Sequence, residues 1–279
     1  MKKLSLLLAI VLSFSLFFVA CGSDNQSSDS VPLSLEGEVT ISGSTSVEKV
    51  MVGLAEEFMA LNPGVEVTYE SIGSSAGIKN ANEGITMIGT ASRNLKEKEV
   101  AWGIESKAIA YDGIAVITHP NNSVSELTKD QVAAIYKGQI TNWNEVGGED
   151  QEIVVVSRED GSGTRGAFEE IVDFEDALTA TAILAEGNGN VQTTVAGNPN
   201  AIGYVSFTYI NETVQSVLID GSEPTTENVL AETYPIARPF LIAYHEENLS
   251  EEAKVFMDFI FTSEGQYIVE EKGGIPVAN

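Results

Sequence analysis

The sequence predicts an α/β fold with largely parallel sheets. Short β-rich runs are followed by small polar loops of Gly, Ser and Thr, and then by apolar residues at helical spacing, and this unit occurs four times. With 279 residues, 43% of them hydrophobic, the chain can build one large domain or two modest ones. Because the loops after parallel strands gather at one edge of a sheet, we expect a ligand site at that edge.

The N-terminal residues predict a leader and an anchor. An apolar run over residues 4–20 follows two lysines and is shorter than the ~20 residues of a spanning helix, which indicates a signal peptide over residues 1–20. Cys21, the only cysteine, resembles the lipobox cysteine of bacterial lipoproteins; an incidental cysteine is the alternative. Residues 21–36 begin with a polar, Ser-rich stretch that predicts a flexible tether. A lone cysteine allows no disulfide within the chain.

The charge of the chain restricts its partners. The formal net charge is −26, and it becomes −28 when Lys2 and Lys3 leave with the signal peptide. Nucleic acid is excluded as a partner, since its binding depends on a basic surface. If the protein binds an anion, a local site has to overcome a repelling surface.

The first unit shows the pattern most fully. A strand at residues 39–41 leads into the loop 42–46, and apolar residues over 47–61 recur at helical spacing. Thr45 and Glu48 have the spacing of a capping box, which predicts that the helix begins there.

The other three units repeat this order. Their strand and loop ranges are 65–69 with 73–77, 87–88 with 89–93, and 153–156 with 160–164. A short helix is predicted to begin at Ile78 and another after the fourth loop.

Such loops have the chemistry of an oxyanion site. A helix N-terminus offers unpaired N–H groups and the positive end of the helix dipole, glycine allows close approach, and Ser or Thr adds a hydroxyl. Any one loop taken alone is better explained as a helix cap than as a ligand contact. Four of them, two with an arginine (Arg93 and Arg158), favour anion binding.

Other functions fit the residues less well. The loop 73–77 matches the G-x-S-x-G pattern around Ser75, and Asp220 and His245 follow in hydrolase order, but short Gly and Ser patterns often arise by chance. No P-loop motif occurs. The sequence has no Cys/His cluster of the kind that binds a metal, and we predict no cofactor.

Several stretches, taken in order, carry a family resemblance. They are SGST at 42–45, GSSAG at 73–77, IGTASR at 88–93, YDGIAV at 111–116, ITNWNEVGG at 140–148, SREDGSGTR at 157–165, AIGY at 201–204 and PF at 239–240. From about residue 37 onward the chain resembles the PstS-type phosphate-binding lipoproteins of phosphate ABC transporters.

The resemblance implies a two-lobe clamshell of the type II periplasmic-binding-protein kind, with mixed, mainly parallel sheets and two crossover strands. The expected crossings are 109–118 and 237–244. One lobe would comprise residues 36–112 and 244–279, and the other residues 113–243.

The resemblance also implies a role and partners. The protein would be a monomeric receptor, anchored through Cys21 at the outer face of the bacterial cytoplasmic membrane. It would capture inorganic phosphate between the lobes and deliver it to an ABC permease. Sulfate, arsenate, molybdate or tungstate stay open as alternative ligands, and so does a sensing or adhesion role.

Site residues follow from the resemblance by position. The implied phosphate contacts are Thr45, Ser46, Ser74, Ser92, Arg158, Ser162, Gly163 and Thr164, with Ser44 and Arg93 as further candidates. The planar guanidinium of Arg158 suits bidentate contact to phosphate, and Asp160 is expected to hold it in place.

The third loop departs from the family pattern. Well-studied family members have an aspartate there that accepts the proton of phosphate and so rejects sulfate, whereas this chain has Ser92 followed by Arg93. A hydroxyl donates as well as accepts, so we expect weaker rejection of sulfate. Arg93 would either reach the ligand or form an exposed pair with Glu97.

Overall fold

The computed structural model describes residues 35–277. The predicted signal peptide, Cys21 and most of the predicted tether lie outside the described residues. Across residues 35–277, no helix combines the length and apolar character needed to cross a membrane.

Strands and helices alternate along this part of the chain. The strands are β1 (Gly37–Gly43), β2 (Val65–Ser71), β3 (Ile88–Ala91), β4 (Glu105–Thr118), β5 (Glu126–Leu127), β6 (Val154–Arg158), β7 (Ile183–Ala185), β8 (Ala201–Ser206), β9 (Gln215–Ser216), β10 (Leu218–Ile219), β11 (Ala237–Tyr244) and β12 (Ile275–Pro276). The α-helices are α1 (Glu48–Leu61), α2 (Ser74–Asn82), α3 (Glu97–Val100), α4 (Lys129–Tyr136), α5 (Gly163–Val172), α6 (Gly187–Ala196), α7 (Thr226–Leu230), α8 (Glu251–Ile260) and α9 (Ser263–Glu271). Short 3-10 helices lie at Trp143–Val146, Phe207–Tyr209 and Glu246–Asn248.

The four predicted strand–loop–helix units are present, with two corrections at helix starts. Val47 is the N-cap of α1 and makes no side-chain capping bond, so the predicted capping box of Thr45 and Glu48 is wrong. Helix α2 begins at Ser74 rather than at Ile78, so the second loop supplies the first turn of its helix. In both places the polar residues face other loops instead of capping their own helix.

The sheet runs continuously through both predicted crossings. Its strand order is β2-β1-β3-β11-β4-β8-β6-β7, and β9 and β12 also pair with β4. Strands β1, β2 and β3 pair in parallel, as do β6, β7 and β8. Strands β4 and β11 run antiparallel to each other, and the far half of β4 pairs with β8. The predicted α/β class and crossing strands are therefore confirmed.

Two large apolar cores flank these crossings. The first packs α1, α8 and α9 against β1 and β2, with the Phe58 and Phe256 ring centroids 5.1 Å apart. The second contains stacked Phe168 and Tyr204, whose centroids are 4.0 Å apart. The lobe boundaries at residues 112–113 and 243–244 stay a prediction.

The tryptophans divide between core and surface. Trp143 is buried in the second core and donates from Nε1 to the carbonyl oxygen of Asn200 at 3.0 Å. Trp102 is 38% exposed and does not pack in a core. It lies in the surface turn that follows α3.

Candidate anion-binding site

A glycine at the end of β1 allows the first loop to lie close to the third loop. Gly43 ends β1 at a φ of 151°, and a Cβ added there would collide with Thr90. The backbone N–H of Ser44 can therefore approach Thr90 Oγ1 to 3.0 Å. Close contact between these neighbouring strands brings the hydroxyls of their loops together.

Four loops converge through their hydroxyl groups. Ser44 Oγ donates to Ser92 Oγ at 2.8 Å, and the N–H of Ser92 donates to Ser74 Oγ at 3.2 Å. Across to the second half of the sheet, Ser46 Oγ and Thr164 Oγ1 are 2.8 Å apart. We call these five residues the hydroxyl cluster, and all of them are buried.

The N-terminus of α5 points into the hydroxyl cluster. A Cβ added to Gly163 would collide with Ser74 Oγ and lie 2.7 Å from Ser92 Oγ. Ser162 is the N-cap, and its Oγ accepts from the N–H of Arg165 at 3.2 Å. As the first residues of the helix, Gly163 and Thr164 have N–H groups with no intrahelical acceptor.

Arg158, the last residue of β6, reaches the first loop beside the hydroxyl cluster. It is 1% exposed, and its Nη2 donates to Thr45 Oγ1 at 3.1 Å. Its Nε and Nη2 each donate to Glu159 at 2.8 Å. Within the described part of the chain, its Nη1 is buried without a hydrogen-bond partner. A buried guanidinium with an unused donor has unmet capacity for an anion.

The residue that holds Arg158 is Glu159, and the expected role of Asp160 is wrong. Asp160 is exposed and accepts from Arg165 Nη1 at 2.7 Å. Glu159 lies directly after the end of β6, and its Oε2 also accepts from the N–H of Gly187. Burial alone would raise the pKa of Glu159, but the hydrogen bonds and charge of Arg158 outweigh it and lower that pKa below its ordinary value.

Three further residues belong to the site and were not assigned from the sequence. Arg238 in β11 is 3% exposed and donates to Ser92 and Ser46. Asp112, its cross-strand partner in β4, accepts from Arg238 Nη2 at 2.8 Å. Asn188 in α6 donates to Ser46 Oγ at 3.0 Å and to Thr45 Oγ1 at 3.3 Å.

A signal for the charged pair was present in the sequence. Asp112 and Arg238 are isolated charges within the two apolar runs predicted as crossing strands. A charge in a buried strand needs a partner, so two such strands that pair with each other predict an ion pair between them. Asn188 follows a glycine in a polar stretch and gave no comparable signal.

Arg93 is buried and directed elsewhere. Both of its Nη atoms donate to Glu99 at 2.8 Å, and Nη2 also donates to Ser75 Oγ at 3.1 Å. The expected exposed pair with Glu97 is therefore wrong, and the partner is the buried carboxylate two residues later. Burial acts to raise the pKa of Glu99, and the opposing hydrogen bonds and charge of Arg93 leave it lowered.

The residues of the hydrolase alternative do not form a triad. His245 Nε2 lies 3.2 Å from Asn82 Oδ1, and Asp220 Oδ1 accepts from the N–H of Lys129. Ser75 Oγ accepts from Arg93 instead of meeting a histidine. A nucleophilic serine needs a base within hydrogen-bond reach, and none of these three residues supplies one to another.

The fold and the hydroxyl cluster define a two-lobe α/β binding protein, and comparison with known proteins agrees. A sequence profile described as a PBP superfamily domain matches residues 25–264. The phosphate-binding protein PstS of Bacillus subtilis is 34% identical over 293 residues, which cover 100% of this chain and 96% of that protein. The PstS of Borreliella burgdorferi is 30% identical over 284 residues, 98% of each chain.

Solved structures give the same result. A Clostridium perfringens protein, described as a phosphate ABC transporter substrate-binding protein with bound phosphate, is 54% identical with a TM-score of 0.86, covering 87% of this chain and 100% of that one. An ABC-type phosphate transport receptor from Vibrio cholerae is 36% identical with a TM-score of 0.75, covering 86% and 100%. The chain belongs to the PBP superfamily and, within it, to the family of PstS phosphate-binding proteins. The family resemblance and the two-lobe fold predicted from the sequence are confirmed.

Proposed function

We propose that this protein captures inorganic phosphate between its two lobes and delivers it to an ABC permease. The observation that carries the proposal is the buried Arg158, whose Nη1 has no partner among the described residues and whose Nη2 donates to Thr45, in the loop that also carries Ser44 and Ser46 of the hydroxyl cluster. The relatives that match over nearly their full length are named for phosphate binding.

The proposed contacts combine charge, hydroxyls and backbone N–H groups. Arg158 supplies the charged donor, and α5 supplies N–H groups and the positive end of its dipole. The remaining contacts are assigned to Thr45, Ser74, Ser92, Ser162, Gly163 and Thr164, with Ser44 supporting Ser92 and Ser46 supporting Thr164. Arg93 is not assigned to the ligand because Glu99 and Ser75 engage its Nη atoms.

These donors suit a small tetrahedral anion. Hydrogen bonds to charged groups contribute about 1.5–3 kcal/mol each, so several of them offset the repulsion of a chain with a net charge of −26. The same donors could also bind arsenate or sulfate. Competition between phosphate and these anions is therefore the informative experiment.

The location and assembly of the receptor are part of the proposal. Residues 36–112 with 244–279 would form one lobe and residues 113–243 the other, with hinges in β4 and β11. A lipid on Cys21 and a tether over residues 21–36 would hold a monomer at the outer face of the cytoplasmic membrane. We propose binding rather than catalysis as its activity.

Calorimetric titration of the purified protein tests the proposal. The protein is first unfolded and refolded to remove any ligand carried through purification. We expect micromolar or tighter phosphate binding. Absence of phosphate binding by correctly refolded protein would contradict the function, and equal phosphate and sulfate affinities would leave only a general oxyanion receptor.

A further inference from the structure

We infer that Arg238, held by Asp112, fixes Ser92 as a hydrogen-bond donor, so that discrimination between phosphate and sulfate does not reside at Ser92. The inference rests on the proposed phosphate-binding function and deepens it. It makes Arg238 and Asp112 positioning residues, which act on the ligand through the hydroxyls they orient.

The hydrogen bonds of Ser92 determine whether its hydroxyl can donate to a ligand or accept from it. A serine hydroxyl has one proton to donate and two lone pairs to accept. Ser92 Oγ accepts from Ser44 Oγ at 2.8 Å and from Arg238 Nη1 at 3.2 Å. Both lone pairs are therefore occupied, and the hydroxyl can offer a ligand only its proton.

The hydroxyl of Thr45, in the first loop, is oriented in the same way. Thr45 Oγ1 accepts from Arg158 Nη2 at 3.1 Å and from Asn188 Nδ2 at 3.3 Å. Its proton is likewise the only group left for a ligand. Hydroxyls from both the first and the third loop are thus oriented as donors.

Ser46 also orients the hydroxyl of Thr164 as a hydrogen-bond donor. Ser46 Oγ accepts from Arg238 Nη2 and Asn188 Nδ2, both at 3.0 Å. With both lone pairs occupied, Ser46 must donate its proton to Thr164 Oγ1, 2.8 Å away. Thr164 then has its own proton free for a ligand.

Arg238 itself has nothing left for a ligand. A guanidinium has five N–H donors. Nε and one Nη2 donor go to Asp112, the other Nη2 donor goes to Ser46, and the two Nη1 donors go to Ser92 Oγ and to its carbonyl oxygen. Because every N–H of the guanidinium is used, Arg238 acts by orienting the hydroxyls of Ser46 and Ser92.

Of the two carboxylates beside the hydroxyl cluster, Asp112 is saturated. It accepts twice from Arg238 through Oδ2, and through Oδ1 from Ser206 Oγ and the N–H of Phe207. Glu159 accepts twice from Arg158 and once from the N–H of Gly187, which leaves one lone pair on Oε1. Asp112 therefore offers no free acceptor for the proton of a ligand.

A different hydroxyl retains accepting capacity. Ser74 Oγ accepts a single bond, from the N–H of Ser92 at 3.2 Å, so one lone pair is left for the proton of phosphate. Sulfate has no proton to place there. Thr164 and Ser162 each keep one lone pair by the same count, but Ser74 Oγ is the nearest atom to a Cβ built on Gly163, at the N-terminus of α5. Ser74 is therefore expected to separate the two ligands, while Ser92 binds both.

Paired titrations of two single variants test the inference. Phosphate and sulfate are each titrated into the wild type, Ser92→Ala and Ser74→Ala, with the exposed Ser71→Ala as the matched control. Loss of one hydrogen bond to a charged group predicts about a ten- to hundredfold loss of affinity. For Ser92→Ala, both affinities should fall by the same factor. For Ser74→Ala, phosphate affinity should fall more than sulfate affinity.

The outcomes separate this inference from the proposed function. If phosphate binds the wild type but Ser92→Ala lowers phosphate affinity selectively, the donor assignment is overturned. If the wild type binds no phosphate, the proposed function fails first.

A double variant, Asp112→Asn with Arg238→Gln, frees a lone pair of Ser92 without leaving a buried charge. Its phosphate-to-sulfate ratio should rise if it remains folded by circular dichroism, and an unchanged ratio in folded protein would contradict the role of Arg238.

Discussion

Arg158 and Arg238 are two buried guanidiniums of one site, and they are used in opposite ways. Arg158 is held by Glu159, whose side chain is 27% exposed, and Nη1 has no partner among the described residues. Arg238 is held by Asp112, which is fully buried, and all five of its N–H groups bond to the protein. Under the proposed function, Arg158 keeps a donor for the ligand, whereas Arg238 has none left and orients its neighbours.

The largest expected effect is on stability at Arg238. Arg238→Met leaves Asp112 buried and uncompensated, and such changes cost about 3–5 kcal/mol of unfolding free energy. Urea unfolding followed by circular dichroism measures the loss. As a control at an exposed pair, Lys79→Met removes the partner of Glu83 and should cost no more than about 1 kcal/mol. Equal losses would remove the distinction between the buried pair and a surface pair.

The next effect is on affinity at Arg158. Arg158→Lys keeps the charge but loses the planar guanidinium that can make two parallel hydrogen bonds. Phosphate affinity should therefore fall about a hundredfold, equivalent to about 2.7 kcal/mol. Unfolding free energy should change far less than in Arg238→Met, because solvent reaches Glu159. Calorimetry and urea unfolding of the same preparation give both quantities. Unchanged affinity would contradict ligand contact by Arg158.

A smaller effect distinguishes the two neighbouring carboxylates. Glu159→Gln weakens the support of Arg158 and should lower phosphate affinity about three- to tenfold, the value of one modest hydrogen bond. Asp160→Asn should leave affinity within about twofold, because Asp160 pairs with Arg165. The reverse ranking in a phosphate titration would restore the role that the sequence suggested for Asp160.

The smallest effect is a pH dependence at Glu99. Its pKa is lowered in the folded protein, so it contributes stability above its unfolded pKa of about 4.3 and loses that contribution as pH falls through the folded value. Unfolding free energies of the wild type and Glu99→Gln should therefore differ at neutral pH and converge below about pH 4. A difference that grows on acidification would show that the pKa is raised instead.

The sequence predicted the fold well because its signals are local. Strand, loop and helix patterns located β1, α1, β2, β6 and α5, and the apolar runs located both crossing strands. Helix starts were less predictable, since Thr45 and Glu48 have capping spacing but bond to other loops.

The site was predicted in part for the same reason. Ser44, Ser46, Ser74, Ser92 and Thr164 are brought together as the loop pattern suggested. Arg238 and Asn188 were missed because their partners are 192 and 142 residues away in the chain. Choosing between Glu159 and Asp160 required the side-chain direction, which sequence spacing does not give.

A crystal structure of the refolded protein with phosphate tests the central claim most directly. The account predicts a phosphate oxygen within about 3 Å of Arg158 Nη1, with every N–H of Arg238 still bonded to Asp112, Ser46 and Ser92. Phosphate bound directly to Arg238, or bound without Arg158, would contradict it.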